Sequence, residues 1–275
     1  VSFPDLTFTL RQGRFPFKYR KALACRTADD ALQELKAASK LVKTDNAVLE
    51  SDDQPVIFMF SGQGSQYIGM GADLYRTMPA YRREVDRCLD ILQPLTGIDF
   101  KEVLCPSGNE STPALDINRT AVTQPLIFVF EYALAQLMIT AGIRPDAMIG
   151  YSLGEYVAAC VAGVLSLTEA LELVTLRGKL MQAVPEGAKV SVPIPENEIN
   201  ELLALDNNKE LSLAIINEPT CIVAGPVHAV EDFERQLKEK RMIPIHLNSF
   251  HAAHSQLMET VIHQFEDKIR SVTLS

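Results

Sequence analysis

Gly150-Tyr151-Ser152-Leu153-Gly154 follows the apolar approach Ala147-Met148-Ile149 and precedes a helix-compatible stretch from Glu155. Gly-x-Ser-x-Gly in that setting has the layout of a nucleophile elbow, a tight strand-to-helix turn that holds a serine hydroxyl clear of its own backbone. A Cβ at either flanking position would crowd the turn, which is a reason for glycine there. Read this way, Ser152 attacks an acyl group and becomes a covalent acyl-enzyme. The five residues alone also fit a glycine-containing turn whose serine caps the next helix. Residues elsewhere must decide between the two.

Working outward, Val56 to Phe60 is a continuous apolar run, the pattern of a buried strand. It runs into the loop Ser61-Gly62-Gln63-Gly64-Ser65-Gln66. Helices are expected over Leu74 to Leu92 and over the strongly apolar Gln124 to Ala141. Ser166-Leu167-Thr168-Glu169 matches a capping box opening a helix to about Met181 or Ala183. Strands alternating with helices imply an α/β unit with a covered parallel sheet. From Lys189 the rhythm changes. Strands at Val190 to Ile194, Leu211 to Ile216, Cys221 to Ala224 and Met242 to His246 alternate with helices at Glu196 to Leu205 and Val230 to Lys240. That β-α-β-β-α-β order is ferredoxin-like, and it is expected as a small inserted subdomain. The chain is expected to return to the large unit at Asn248 and to end in a helix from Gln256 to about Val272.

The first 53 residues differ. Leu6 to Leu10 alternates like a strand, Lys21 to Arg26 reads as a second strand, and Asp29 to Leu41 has helical spacing. A basic stretch, Arg11 to Arg20, lies between them, and Lys43 to Gln54 reads as a polar linker.

The chain has 275 residues, 47% of them apolar, and a net charge of -9. That balance argues against nucleic acid as a partner, which would need a basic stripe. Leu126 to Ile139 is the nearest approach to a membrane span, but Glu131 and Gln136 interrupt it. The first residues do not have a signal-peptide layout. Five scattered cysteines without a Cys-x-x-Cys pair suggest neither a disulfide framework nor a zinc site. A reducing, cytoplasmic setting is expected.

A serine nucleophile needs a base. Of five histidines only His251-Ala252-Ala253-His254 forms a cluster. An oxyanion hole needs two N–H donors. Leu153, just after the serine, is one candidate, and the Gly62-Gln63-Gly64 turn supplies another. Arg177, between Leu176 and Leu180 and near Lys179, either grips a carboxylate through its fork or snorkels to the surface.

Phe60-Ser61-Gly62-Gln63-Gly64-Ser65-Gln66, Thr123-Gln124-Pro125, Gly150 to Tyr156, Leu176 to Gln182 and His251 to Ser255 occur in one order. Together they closely resemble the acyltransferase domain of modular type I polyketide synthases, in the malonyl-CoA:acyl-carrier-protein transacylase superfamily. The likeness covers about Pro55 to Ser275. It implies an α/β-hydrolase-like large subdomain (54–188 and 248–275) and a ferredoxin-like small subdomain (189–247). It implies that residues 1–53, with Phe8-Thr9-Leu10-Arg11-Gln12-Gly13-Arg14, are part of a linker from an adjacent ketosynthase domain.

The resemblance also assigns roles. Ser152 is the acylated nucleophile and His254 its base. Gln63 and Leu153 give the oxyanion-hole N–H groups, and Arg177 holds the free carboxylate of a malonyl-type group. Gln124, Tyr151, His251 and Ala253 line the acyl pocket. Malonyl-CoA is the donor, the phosphopantetheine thiol of an acyl carrier protein is the acceptor, and neither a metal nor a cofactor of the protein's own is implied.

The chain departs from the family pattern at four places. Tyr151 stands where malonyl-type domains commonly have histidine. His251-Ala252-Ala253-His254 replaces His-Ala-Phe-His or Tyr-Ala-Ser-His. His251 points to malonyl, while Ala253 removes bulk that would crowd an α-methyl, so an α-substituted extender stays open. Lys189 replaces an apolar residue. The family also continues past the last helix with a segment whose backbone carbonyl orients the histidine, so a shortened and impaired piece is expected. Two other readings stand beside transfer: a serine hydrolase, for which no acid between Ser152 and His254 stands out, and a non-catalytic docking fragment.

Overall fold

The structure, a computed structural model, describes residues 2–15, 22–40, 54–106, 115–247 and 251–275. Two units separate, Val1–Gln54 and Pro55–Ser275.

In the first unit α1 (Phe3–Gln12) replaces the strand expected at Leu6 to Leu10. Local signals explain the difference. The Ser2 hydroxyl accepts from the Asp5 N–H, and Pro4 sits in the first turn, where its missing N–H costs nothing. The alternation does not serve burial, since Leu6, Phe8 and Leu10 are all exposed. Residues 22–26 form no strand either, and the Arg26 N–H donates to the Asp30 carboxylate at the start of the next helix. α2 (Ala28–Lys40) matches the expected helix. Most of the basic stretch and of the linker (16–21 and 41–53) lies outside the described residues.

In the second unit β1 (Ile57–Phe60) is followed by α3 (Ala72–Thr77), α4 (Pro79–Thr96), α5 (Lys101–Leu104), α6 (Thr120–Thr140), β2 (Ala147–Gly150), α7 (Gly154–Val161) and α8 (Leu167–Ala183). The single helix expected over Leu74 to Leu92 is two. Met78 is extended, because the residue before a proline is driven out of the helical region, and Pro79 then opens α4. Helix α6 begins four residues before the expected Gln124 and carries Pro125 inside it. Its first turn is tied by the Thr123 hydroxyl, which donates to the carbonyls of Ile117 and Arg119. Leu126, Ile127, Phe128 and Val129 are fully buried. Helix α6 is apolar on all sides, as a core helix must be. It is the one described helix long and apolar enough to cross a membrane, and most of it is buried inside the protein.

Strands β1 and β2 pair in parallel, with Met59 opposite Ile149 and Phe60 opposite Gly150. The sheet is not covered on both faces as expected. Ile57, Met59 and Ile149 are exposed, while the other face packs on the core through Phe58, Phe60 and Met148. Among the described residues no element lies over the open face.

From Gly187 the chain builds a second sheet from β3 (Gly187–Val192), β4 (Ser212–Asn217), β5 (Thr220–Pro226) and β6 (Ile245–Leu247), with α9 (Glu196–Leu203) and α10 (Val227–Glu239) between strands. The order β4-β5-β3-β6 is antiparallel throughout, which is the ferredoxin-like arrangement. Ala188, Val190 and Val192 alternate into a core of their own with Ile199, Phe233 and Leu237. Lys189 and Ser191 therefore fall on the opposite face. Asn248, the expected point of return, lies outside the described residues. Helix α11 (Glu259–Arg270) is the last described helix. It is tied back by Lys268 to Glu172 at 2.6 Å and by Phe265 edge-on to Tyr156.

Candidate active site

The turn between β2 and α7 is an elbow in geometry as well as in sequence. Ser152 has a φ of 53°, a left-handed conformation that residues other than glycine rarely adopt and that clusters at functional sites. The flanking glycines permit it. A Cβ on Gly150 would stand 2.1 Å from the Glu155 nitrogen, and one on Gly154 would stand 2.4 Å from the Phe60 carbonyl oxygen. Helix α7 thus starts in contact with the ends of both strands. The Glu155 carboxylate accepts from the Gly150 N–H at 3.0 Å and closes the turn. The capping reading of Ser152 is not what is seen, because its hydroxyl points elsewhere.

The Ser152 Oγ lies 3.0 Å from Nε2 of His254. Nη2 of Arg177 donates to the same oxygen at 3.0 Å. Three residues distant in sequence, from the elbow, α8 and the segment before α11, thus converge on one hydroxyl. His254 also has a left-handed φ, 64°. Its imidazole is held below the usual histidine range, first by burial and then by the positive charges of Arg177 and Lys189. A neutral ring with a free Nε2 lone pair is the form that can take a serine proton. Among the described residues no group accepts from its Nδ1.

Arg177 is largely buried, with its guanidinium over the Tyr156 ring at 5.7 Å. Burial lowers its proton affinity, yet a guanidinium stays charged in a protein. It has no carboxylate partner among the described residues. Lys179, close to it in sequence, turns away and donates to the Leu95 carbonyl.

The loop after β1 is anchored from below. One carboxylate oxygen of Glu131 accepts from the Ser61 N–H at 2.7 Å and from the Ser61 hydroxyl at 2.5 Å. Burial pushes the Glu131 carboxyl up, against the pull of those two bonds. In the sequence Glu131 reads only as a break in an apolar run. The signal for its role is that it is the one charged residue in α6. Gln63 and Leu153 both line a cavity of about 740 Å³ with Ser152, Arg177 and His254, within the usual range for a ligand site. A second cavity of about 500 Å³ shares Ser152, Arg177 and His254 and is walled by Tyr156, Leu173 and Ile269.

Of the other expected pocket residues, Tyr151, His251 and Ala253 line the larger cavity. His251 is 7% exposed, and its Nε2 accepts from the Gln182 amide at 3.2 Å. Gln124 does not line the cavity. It is fully buried behind Met181, to whose sulfur its amide donates at 3.1 Å.

A family model described as "Acyl transferase domain" matches residues 57–275. The chain is 34% identical over 276 residues to polyketide synthase GfsB of Streptomyces halstedii, covering 98% of this chain and 5% of that protein. It is 32% identical over 279 residues to the non-reducing polyketide synthase rdc1 of Metacordyceps chlamydosporia, covering 98% of this chain and 13% of that one. The chain therefore spans a small part of the length of these relatives. Among solved structures it resembles the acyl transferase domain of ZmaA with a TM-score of 0.87 and 39% identity, over 100% of this chain and 63% of that one. It also resembles a malonyl CoA-acyl carrier protein transacylase from Clostridium perfringens, with a TM-score of 0.72 and 25% identity, over 81% of this chain and 69% of that one.

Proposed function

The chain belongs to the acyl transferase domain family, and from that premise we propose that it moves a malonyl-type acyl group from coenzyme A to the phosphopantetheine thiol of an acyl carrier protein, through an ester on Ser152. The observation that carries this reading is the 3.0 Å approach of both His254 Nε2 and Arg177 Nη2 to the Ser152 hydroxyl.

In the first half-reaction the Ser152 Oγ attacks the thioester carbonyl while His254 takes its proton. The C–S bond then breaks, and the coenzyme A thiolate leaves with that proton. In the second half-reaction the carrier thiol gives its proton to His254 and attacks the ester. The C–O bond breaks and Ser152 recovers the proton. General-base assistance of this kind is typically worth ~10²–10⁴-fold. The negative charge on each tetrahedral intermediate falls to the N–H groups of Gln63 and Leu153. Each such donor typically contributes about 3–4 kcal/mol.

Arg177 binds the free carboxylate of the acyl group. An acetyl group would leave a largely buried guanidinium without that partner, a costly arrangement. His251, held by Gln182, favours malonyl. Ala253, lining the cavity, favours an α-substituted extender instead. We place the site between a large subdomain (54–188 and 248–275) and a small one (189–247), in a parent synthase with an adjacent ketosynthase and a cytoplasmic location.

The test is intact-mass analysis after incubation with malonyl-CoA. A gain of one malonyl group is expected on the wild-type chain and none on Ser152→Ala. Adding a phosphopantetheinylated carrier should move the group to the carrier faster than water releases it. Faster hydrolysis would instead support a serine hydrolase. No acylation by any acyl-CoA would leave the docking-fragment reading.

A further inference from the structure

Among the described residues Lys189 is the one lysine or arginine on the sheet wall of the larger cavity, where His246 is paired with Glu234, and the mechanism above gives Lys189 no contact with the acyl group. It sits on β3, on the face opposite the sheet's own core, between Ala224 of β5 and Leu247 of β6. It lines the cavity with Ser152, Arg177, Ala253 and His254. It has no hydrogen-bond or ion-pair partner among the described residues. Two positive groups, Lys189 and Arg177, thus face the same space. They are close enough that burial and then Arg177 both lower the proton affinity of the amine. An ammonium brings three donors and no acceptor. A ligand that brings oxygen acceptors matches such a half-buried, unpaired group. One acyl carboxylate is already taken up by the fork of Arg177. Ala253, on the same cavity, leaves room for a substituent beside the acyl group.

We propose that Lys189 is a specificity-determining residue that selects acyl groups bearing, besides the carboxylate, a second oxygen acceptor on the α-carbon, such as a hydroxyl or ether oxygen. The inference rests on the acyl-transfer reading and goes beyond it in naming the substituent. A hydroxyl and a methyl are nearly equal in size, so the comparison between them isolates polarity from room. A site built to hydrogen-bond a substrate group discriminates strongly against the analogue that lacks it, whereas a purely apolar pocket discriminates weakly.

The experiment is competition between the pantetheine thioesters of hydroxymalonate and methylmalonate, with the ester on Ser152 read by intact mass. The wild-type chain should favour hydroxymalonyl by about tenfold or more. Lys189→Met should erase or invert that ratio, and Lys189→Arg should keep it. A wild-type chain that takes methylmalonyl as readily as hydroxymalonyl overturns the proposal, and so does a ratio unchanged in Lys189→Met. In either case acylation of Ser152 shows that the acyl-transfer reading still stands. If no thioester acylates Ser152, both fall together.

Discussion

His254 carries a pH signature that follows from its surroundings. Its pKa lies below the ordinary 6.5, with burial the first cause and the Arg177 and Lys189 charges adding to it. The base is therefore more than half neutral at pH 6.5, and the midpoint of the acidic limb of kcat/KM for acylation should lie below that value. Stopped acylation assays from about pH 5 to about pH 8 should place the acidic limb below it. A limb centred above it would remove the like-charge argument. The same shift has a stability sign. The folded state binds fewer protons than the unfolded one, so stability falls as pH drops below the unfolded value and down through the folded one. Ser152 was legible in its own motif and His254 in the one histidine cluster, while Arg177 read as a carboxylate grip or a snorkelling side chain until the resemblance gave it a role. Glu131 was not legible, since a lone acid in an apolar run looks like an interruption until the loop it holds is seen. Gln124 was expected in the acyl pocket only through the resemblance. Its place behind Met181 depends on helix rotation, which spacing does not fix.

At the scale of elements, the elbow is a packing device as much as a chemical one. Helix α7 starts against β1 because Gly154 has no Cβ to meet the Phe60 carbonyl. Gly154→Ala should cost about 1–3 kcal/mol, as overpacking typically does, and should slow Ser152 acylation by moving the serine. Denaturant unfolding read beside intact-mass kinetics checks both. Unchanged stability with unchanged acylation would mean that the contact is readily relieved. The helices were legible where capping and proline chemistry agreed with the apolar spacing, as at Ser166, whose capping box forms as written. They were misread where the two conflicted. Short alternation at Leu6 to Leu10 suggested a strand, but the local cap and Pro4 decided for a helix. Pro79 divided one expected helix into α3 and α4.

The whole of the second unit holds two hydrophobic cores, one around α6 and one between the small sheet and its helices. Phe233 is fully buried in the second. Phe233→Ala should cost about 3–5 kcal/mol, measured as a shift in the denaturant midpoint at an unchanged slope. A loss well under that range would mean the small core is loosely packed. The ferredoxin-like order was legible because each strand and helix there is short, bounded and singly apolar. The open face of β1 and β2 was not, because an apolar run says that a strand could be buried on both sides, not what lies over it. The larger cavity has one wall from the elbow, α8 and the segment before α11, with Ser152, Arg177 and His254, and another from the open face of the small sheet, with Lys189, Ile215 and Ile222. Because those walls are packed separately, acyl preference can be retuned from the sheet side without replacing the nucleophile, its base or its clamp, while any change of charge at Lys189 is also felt by His254.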